Sequence, residues 1–251
     1  LIAVGAVAVT LACSDGSGPT QPLSLSFATE RPAVAATMAG SPGFERAASN
    51  DTLRDGTNTL VITKAEIVLR EIELERQEVV DCDVEPEPAG CEDFEVGPVL
   101  IDLPLGPGTQ QLVAIEVEPG TYVEVEFQIH KVSSGDAADA AFRQAHPTFV
   151  DKSIRVQGTF NGQPFTFESD LDVEQEMDLV PPLVIVDEAT STNLTIMVEL
   201  GEWFRALDGT LLNPATGNKG GVNEGLIKEN IKQSIEAFED QDKDGDDRDE
   251  G

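Results

Sequence analysis

The chain has 251 residues, of which 47 are acidic and 16 basic, so its formal net charge is −31. Such a charge repels nucleic acids and anionic lipid surfaces and attracts divalent cations or basic proteins, which argues against nucleic-acid binding. Hydrophobic residues make up 40 % of the chain. That share is enough for a folded core and argues against disorder over the whole length.

The chain opens with LIAVGAVAVTLAC, an uninterrupted run of apolar and small residues that ends at Cys13. Its length suits the core of a secretory signal and is too short for a membrane span. The run resembles a bacterial lipoprotein signal, in which a small residue precedes a lipidated cysteine. Leu11 and Ala12 fit that pattern, whereas Thr10 stands where Leu is usual.

No initiator Met precedes this run, so we interpret residues 1–13 as a lipoprotein-type signal that is truncated at its N-terminus. An ordinary secretory signal with an incidental cysteine is the alternative. We favour lipidation of Cys13 because polar sequence begins directly after it. The expected location is the bacterial cell envelope, on the periplasmic or cell-surface side, with the membrane as a partner through the lipid anchor.

Residues 14–57 are rich in Ser, Gly, Pro, Ala and Thr and show no sustained apolar period. Such a stretch buries too little surface to offset the entropy of ordering it, so we predict a flexible linker. The short segment LSLSF at residues 23–27 alternates, and an edge strand is the alternative there.

The hydrophobic pattern changes at residues 59–80, TLVITKAEIVLREIELERQEVV, where Val, Ile and Leu occupy nearly alternate positions. The phase slips near residues 64–65 and 70–71, which indicates a bulge or two consecutive strands. A helix is the rival interpretation, because Ile67 and Leu74 also have helical spacing. The density of β-branched residues favours strand.

Cys82 and Cys91 lie in a proline-punctuated acidic loop and are separated by eight residues. In an exported protein this spacing is readily closed by a disulfide. Free or metal-binding thiols are the alternative, but neither histidine is nearby in the sequence. We predict a structural disulfide.

Further strands are predicted at residues 98–105 and 111–132. The second segment reads as a hairpin around Glu118–Thr121, where Pro and Gly occupy the central turn positions. After this turn Val123, Val125, Phe127 and Ile129 share one face, and Tyr122, Glu124, Glu126, Gln128 and His130 share the other.

The segments SIRVQGTF, QPFTFESDL and NLTIMVEL also read as strands, and the first two are joined by Asn161-Gly162, a strong hairpin signal. Residues 134–149 predict a short helix with loop that ends at Pro147. A longer helix is predicted from Asn223 to Phe238, with an apolar stripe of Ile227, Ile231, Ile235 and Phe238.

Several short strands separated by turn signals predict an all-β fold, an antiparallel β-sandwich with a C-terminal amphipathic helix packed on it. The predicted organisation is the signal, the linker of residues 14–57, the domain at 58–238 and an acidic tail at 239–251.

The segments IDLPL, VEPGTYVEVEFQIHK, GTFNGQPFTFESDL and EWF, followed by NIKQSIEAFED, resemble a group of bacterial lipoproteins. Their domain is catalogued as domain of unknown function 4382. The resemblance covers roughly residues 57–238 and implies an anchored, exported β-sandwich. It implies no functional residues.

Signals of an enzyme are few. His130 and His146 stand outside any two-histidine metal motif, and His130 is predicted to lie at the surface. The sequence shows no nucleophile elbow, phosphate loop or dinucleotide fingerprint. HKVSSGD gathers His, Ser and Asp, but catalytic triads assemble from distant positions. We therefore predict no catalytic residues.

Trp203, Phe204 and Tyr122 are the aromatic candidates for stacking on a sugar. Burial of Trp203 as a plug at one end of the sandwich is the favoured interpretation.

The ending AFEDQDKDGDDRDEG resembles the start of a calcium loop. Oxygen ligands would come from Asp240, Asp242, Asp244 and Asp246, the last through its carbonyl. The twelfth position is Gly251, where a bidentate Glu is needed. A solvated acidic tail explains the same residues, so we predict no cofactor and keep weak calcium binding as an alternative.

The leading hypothesis is a non-enzymatic, lipid-anchored envelope protein that binds or scaffolds an unknown envelope protein or glycan. A carbohydrate- or protein-binding module with weak calcium binding is the second hypothesis, and a hydrolase with an unrecognised site is the third.

Overall fold

A computed structural model describes residues 20–29, 51–77, 91–94, 97–105, 110–186 and 192–239. These ranges form twelve strands: β1 (Gln21–Ala28), β2 (Asp51–Arg54), β3 (Thr59–Arg76), β4 (Cys91–Phe94), β5 (Val99–Asp102), β6 (Gln110–Val117), β7 (Gly120–Ile129), β8 (Ile154–Phe160), β9 (Gln163–Ser169), β10 (Val173–Ile185), β11 (Thr192–Val198) and β12 (Ile235–Glu239). They also contain helices α1 (Ala140–Ala145) and α2 (Glu224–Gln233) and 3₁₀ turns at Pro147–Phe149 and Pro214–Gly217. The all-β prediction is confirmed.

The described strands assemble into two sheets. One has the order β12–β11–β1–β6. The other follows the path β10–β7–β3–β8–β9, and β2, β4 and β5 also pair with β3. Strand β1 runs parallel to β11, whereas the other strand pairs within the described ranges are antiparallel. A purely antiparallel arrangement is therefore wrong at this pair, which brings together strands from distant parts of the chain.

Side chains from both sheets contribute to one hydrophobic core. Leu25 and Phe27 of β1 belong to it together with Leu69 of β3 and Val125 of β7. Each of them is at most 2 % exposed. Full burial of one such side chain contributes about 1.5–3 kcal/mol, so the core is the main source of stability.

The linker prediction for residues 14–57 is wrong for two segments. Residues 21–28 form β1, which lies inside a sheet between β11 and β6 rather than at its edge. Residues 51–54 form β2 beside β3. Leu23, Leu25 and Phe27 lie on one face of β1 and lose contact with water, while partners on both sides satisfy the backbone of the strand.

Strand β3 is one continuous strand of 18 residues, so the helical alternative is wrong. Its register shifts between Ile62 and Lys64 against β8, and between Arg70 and Ile72 against β7. Both shifts lie where the apolar phase slips in the sequence, and Glu71 has a positive φ of 52°. Of the two predicted alternatives, a bulge is confirmed and a break into two consecutive strands is wrong.

The predicted hairpin around Glu118–Thr121 is wrong. Strand β6 pairs with β1, and β7 pairs with β3 and β10 in the other sheet. The turn therefore carries the chain from one sheet to the other. The predicted strand phase holds for Val125, Phe127 and Ile129, but Tyr122 is fully buried and Val123 is not.

The hairpin of β8 and β9 is confirmed. Phe160 pairs with Gln163, and Asn161 and Gly162 have φ of 51° and 76°, as a type I′ turn requires. Gly158 serves a second purpose, since a Cβ atom there would lie 1.9 Å from the carbonyl oxygen of Val61 in the bulged part of β3. Only glycine permits this close approach.

The predicted short helix within residues 134–149 is confirmed as α1, with Pro147 beginning the next turn. The helix predicted up to Phe238 ends instead at Gln233, and Ile235 begins β12. Ile227 and Ile231 of α2 are fully buried, as expected. The last part differs because β12 pairs with β11, an interaction that local periodicity does not report.

Candidate functional site

The predicted site residues fall mostly outside the described ranges. This holds for Cys13, Cys82 and the proposed calcium ligands Asp240, Asp242, Asp244 and Asp246. Cys91 is the first residue of β4. Lipidation, the disulfide and calcium binding therefore stay predictions.

His130 is buried, with 4 % of its surface exposed, so its predicted surface position is wrong. Its Nε2 lies 2.8 Å from Oδ1 of Asp139, whose side chain is fully buried, and its Nδ1 lies 3.9 Å from Oδ1 of Asp172. The backbone N–H of Ser133 donates to Oδ2 of Asp139 at 2.6 Å. The pair holds the end of β7 against the segment that enters α1.

The HKVSSGD cluster is used for turns. The carboxylate of Asp136 accepts the N–H of Ala138 at 2.9 Å, and the hydroxyl of Ser133 accepts the N–H of Gly135 at 3.3 Å. His130 is hydrogen-bonded to Asp139 instead of to either group. The local sequence cluster is therefore not assembled as a triad.

The three aromatic candidates for sugar stacking are all fully buried. Trp203 donates its indole N–H to the hydroxyl of Ser234 at 2.7 Å, and Phe204 packs edge-on against Phe167. Tyr122 lies in the same core. Trp203, Phe204 and Tyr122 do not form an exposed platform.

Acidic side chains occupy directly opposed positions on three neighbouring strands, β3, β7 and β10. The first row is Glu73, Glu126 and Glu176, and the second row is Glu75, Glu124 and Asp178. We call these six residues the acidic face. Opposed residues in neighbouring strands project to the same side of the sheet, with side chains roughly 5 Å apart.

The acidic face arises from strand alternation. Ile72, Leu74, Val125 and Phe127 point into the core, which turns the intervening glutamates outward. Like charges at opposed positions destabilise a sheet, so packing alone does not account for six acids here. Arrangements that break local rules of stability occur preferentially at functional sites.

Glu126 lies at the centre of its row. Burial, the hydrogen bond with Glu124 and the nearby charges of Glu124, Glu73 and Glu176 raise the pKa of Glu126 to about 8. A shallow depression beside it is lined by Glu71, Glu73, Glu126, Phe127, Gln128 and Glu174. A positive charge that approaches this depression stabilises the ionised form of Glu126.

Sequence reasoning missed β10 and with it one third of the acidic face. The strand contains Pro181 and Pro182, which normally argue against a strand interior. The available signal was the alternation of Glu174, Glu176 and Asp178 with Gln175 and Met177.

In the described ranges, no three or more His, Cys, Asp or Glu side chains are grouped so as to hold a metal ion. No helix within those ranges is both long and apolar enough to span a bilayer. The chain matches no protein-family model, no curated protein and no solved structure.

Proposed function

We propose that this chain is a non-enzymatic, lipid-anchored β-sandwich protein of the bacterial cell envelope, and that the acidic face is its binding surface for a basic partner protein. The observation that carries the binding role is the double row of opposed carboxylates on β3, β7 and β10. The net charge of −31 adds a long-range field that attracts basic proteins.

The envelope location is supported by the apolar run that ends at Cys13 and by its resemblance to a lipoprotein signal. The sandwich architecture is supported by two sheets that contribute to a common core.

A binding role is favoured over hydrolysis by the surroundings of the titratable groups. His130 is buried and hydrogen-bonded to Asp139. Glu126 has a pKa suited to acid–base chemistry, but it belongs to a row of opposed carboxylates on one face of the sheet. A row of acidic side chains is complementary in charge to a basic protein surface, which favours binding over catalysis.

The anchoring part is tested by expressing the precursor with labelled fatty acid. Label should enter the wild type and be lost in Cys13→Ser. Label retained by the variant would overturn the lipoprotein assignment.

The binding part is tested with the full chain and a lysine–serine peptide. Binding should weaken roughly tenfold in a Glu124→Gln, Glu126→Gln double variant and also weaken with added salt. A Glu202→Gln, Glu236→Gln variant replaces the same number of carboxyl groups outside the acidic face and should bind as the wild type does. Equal binding by both double variants would show that the acidic face is not the binding surface.

A further inference from the structure

The outward side chains of β10 are acidic in the first half of the strand and aliphatic in the second half. Glu174, Glu176 and Asp178 are exposed in the first half. Val180, Val184 and Val186 follow, with 82 %, 53 % and 55 % of their surfaces exposed, and Pro181 and Pro182 lie between them. We call these three valines the valine strip.

The valine strip continues the acidic face. Asp178 is opposed to Glu124, and after an irregularity in the strand Val184 is opposed to Thr121 on the same neighbouring strand, β7. Leu183 and Ile185 point into the core, so Val184 and its neighbour Val186 point outward. One strand therefore presents carboxylates first and aliphatic side chains after them.

Single exposed aliphatic residues are ordinary on protein surfaces, as Val222 in a loop illustrates. Here three exposed valines instead lie within seven residues, two in the second half of β10 and one directly after its last residue. Apolar areas bordered by charged residues are typical of interaction surfaces.

The negative charge of the chain limits which partners can cover the acidic face and the valine strip. A second copy of the chain would bring another net charge of −31, and nucleic acids and anionic lipids would also be repelled. A polypeptide with basic residues beside aliphatic ones has a charge opposite to that of the acidic face and an apolar surface that matches the valine strip. Basic groups would lie over the carboxylates while aliphatic groups cover the valines.

We infer that the acidic face and the valine strip together bind an amphipathic basic segment of a partner protein, one with lysine or arginine in one half and aliphatic residues in the other. This inference rests on the proposed function and names the class of its partner. The valine strip provides selectivity over segments that are merely basic, since these leave the valines in water.

Three peptides of equal length test the inference on the full chain. The first has a lysine–serine half and a leucine–serine half, the second replaces the leucines by serine, and the third replaces the lysines by serine. The first should bind roughly tenfold tighter than the second, because only it covers the valines. The third should bind weakest.

The variants then separate the two claims. Val184→Ser with Val186→Ser should remove the advantage of the first peptide and leave binding of the second unchanged, while Val222→Ser should change neither. If the first two peptides bind the wild type equally, or if the valine double variant keeps the advantage, the inference fails while the acidic face stands. If the Glu124→Gln, Glu126→Gln variant binds the second peptide as the wild type does, the proposed function fails as well. Val180→Ser gives an independent check should the double variant not fold.

Discussion

The hydroxyl of Tyr122 donates a 2.7 Å hydrogen bond to the carbonyl oxygen of Glu118, four residues upstream. The bond spans the turn through which the chain leaves one sheet and enters the other. Arg76 closes the same corner, because its Nη2 lies 2.9 Å from the carboxylate of Glu118 and its guanidinium lies 5.6 Å from the centre of the Tyr122 ring. Comparable tyrosine corners fix the path of the chain in other β proteins.

Replacement of Tyr122 by Phe should lower the free energy of unfolding by about 1 kcal/mol, since the ring stays and one largely buried hydrogen bond is lost. Tyr122→Leu should cost more, because it also removes part of a fully buried ring. Urea unfolding of the three proteins measures both effects. A Phe variant as stable as the wild type would show that the hydroxyl does not hold the corner.

Glu126 should make stability depend on pH. Its pKa is raised from 4.5 to about 8, so the folded protein binds this proton more tightly than the unfolded chain does. The free energy of unfolding therefore falls as the pH rises from about 4.5 to about 8. Glu126→Gln should remove this part of the fall and be more stable than the wild type at pH 8.5, by about 1 kcal/mol or less.

Thermal unfolding between pH 5 and pH 9 gives the comparison. Glu236→Gln, an exposed change on β12, is the matched control and should follow the wild type. A Glu126→Gln curve parallel to that of the wild type would contradict the shifted pKa.

Gly158→Ala should destabilise the protein by about 3 kcal/mol or prevent folding, because the new Cβ atom would overlap the carbonyl oxygen of Val61. Gly225→Ala in α2 is the control, since a Cβ there meets nothing within 4 Å. It should leave stability unchanged or raise it by up to about 1 kcal/mol through helix propensity. Similar melting temperatures for the two variants would contradict the close approach of β3 and β8.

Asp170 should contribute to stability at neutral pH and lose that contribution in acid. Its carboxylate lies 2.8 Å from the ammonium of Lys219 and 2.6 Å from that of Lys228, and hydrogen bonds from these two groups lower its pKa to about 2. The contribution is present above the ordinary pKa of 3.8 and disappears as the pH falls through about 2.

Asp170→Asn should therefore cost about 1 kcal/mol at pH 7 and little near pH 2, allowing for partial screening by water. Of the two partners, Lys228→Met should cost more than Lys219→Met, because the Lys219 side chain is 82 % exposed and that of Lys228 is 25 % exposed. A cost for Asp170→Asn that does not change with pH would rule out this explanation.

The predicted bond between Cys82 and Cys91 is checked on the exported protein by mass analysis without reducing agent. We expect a linked peptide pair, and reduction should lower stability by about 2–3 kcal/mol for a loop of this size. Alkylation of both thiols in the native protein would exclude the disulfide.

Local patterns in the sequence determined several features correctly. The alternation of residues 59–76 predicts strand, and its two phase slips predict a bulge or a break into two strands, because side-chain direction and backbone pleat are coupled within a few residues. Asn161-Gly162 predicts its turn for a similar reason, since the positive φ angles are a property of the two residues themselves.

Pairing between distant segments decided the rest. Residues 21–28 have the composition of a linker, but they form a strand because both β11 and β6 pair with them. The turn after Glu118 has the sequence of a hairpin turn, but β6 and β7 pair with strands of different sheets. Ile235 continues a helical stripe in the sequence, yet pairing with β11 makes it the start of β12.

The acidic face likewise depends on the pairing of distant segments. Its residues come from three segments as much as about 100 positions apart, and only the register of β3, β7 and β10 opposes their carboxylates. The register depends on the free energy of burying the inward faces of all three strands together. The sequence of a single strand therefore does not determine it.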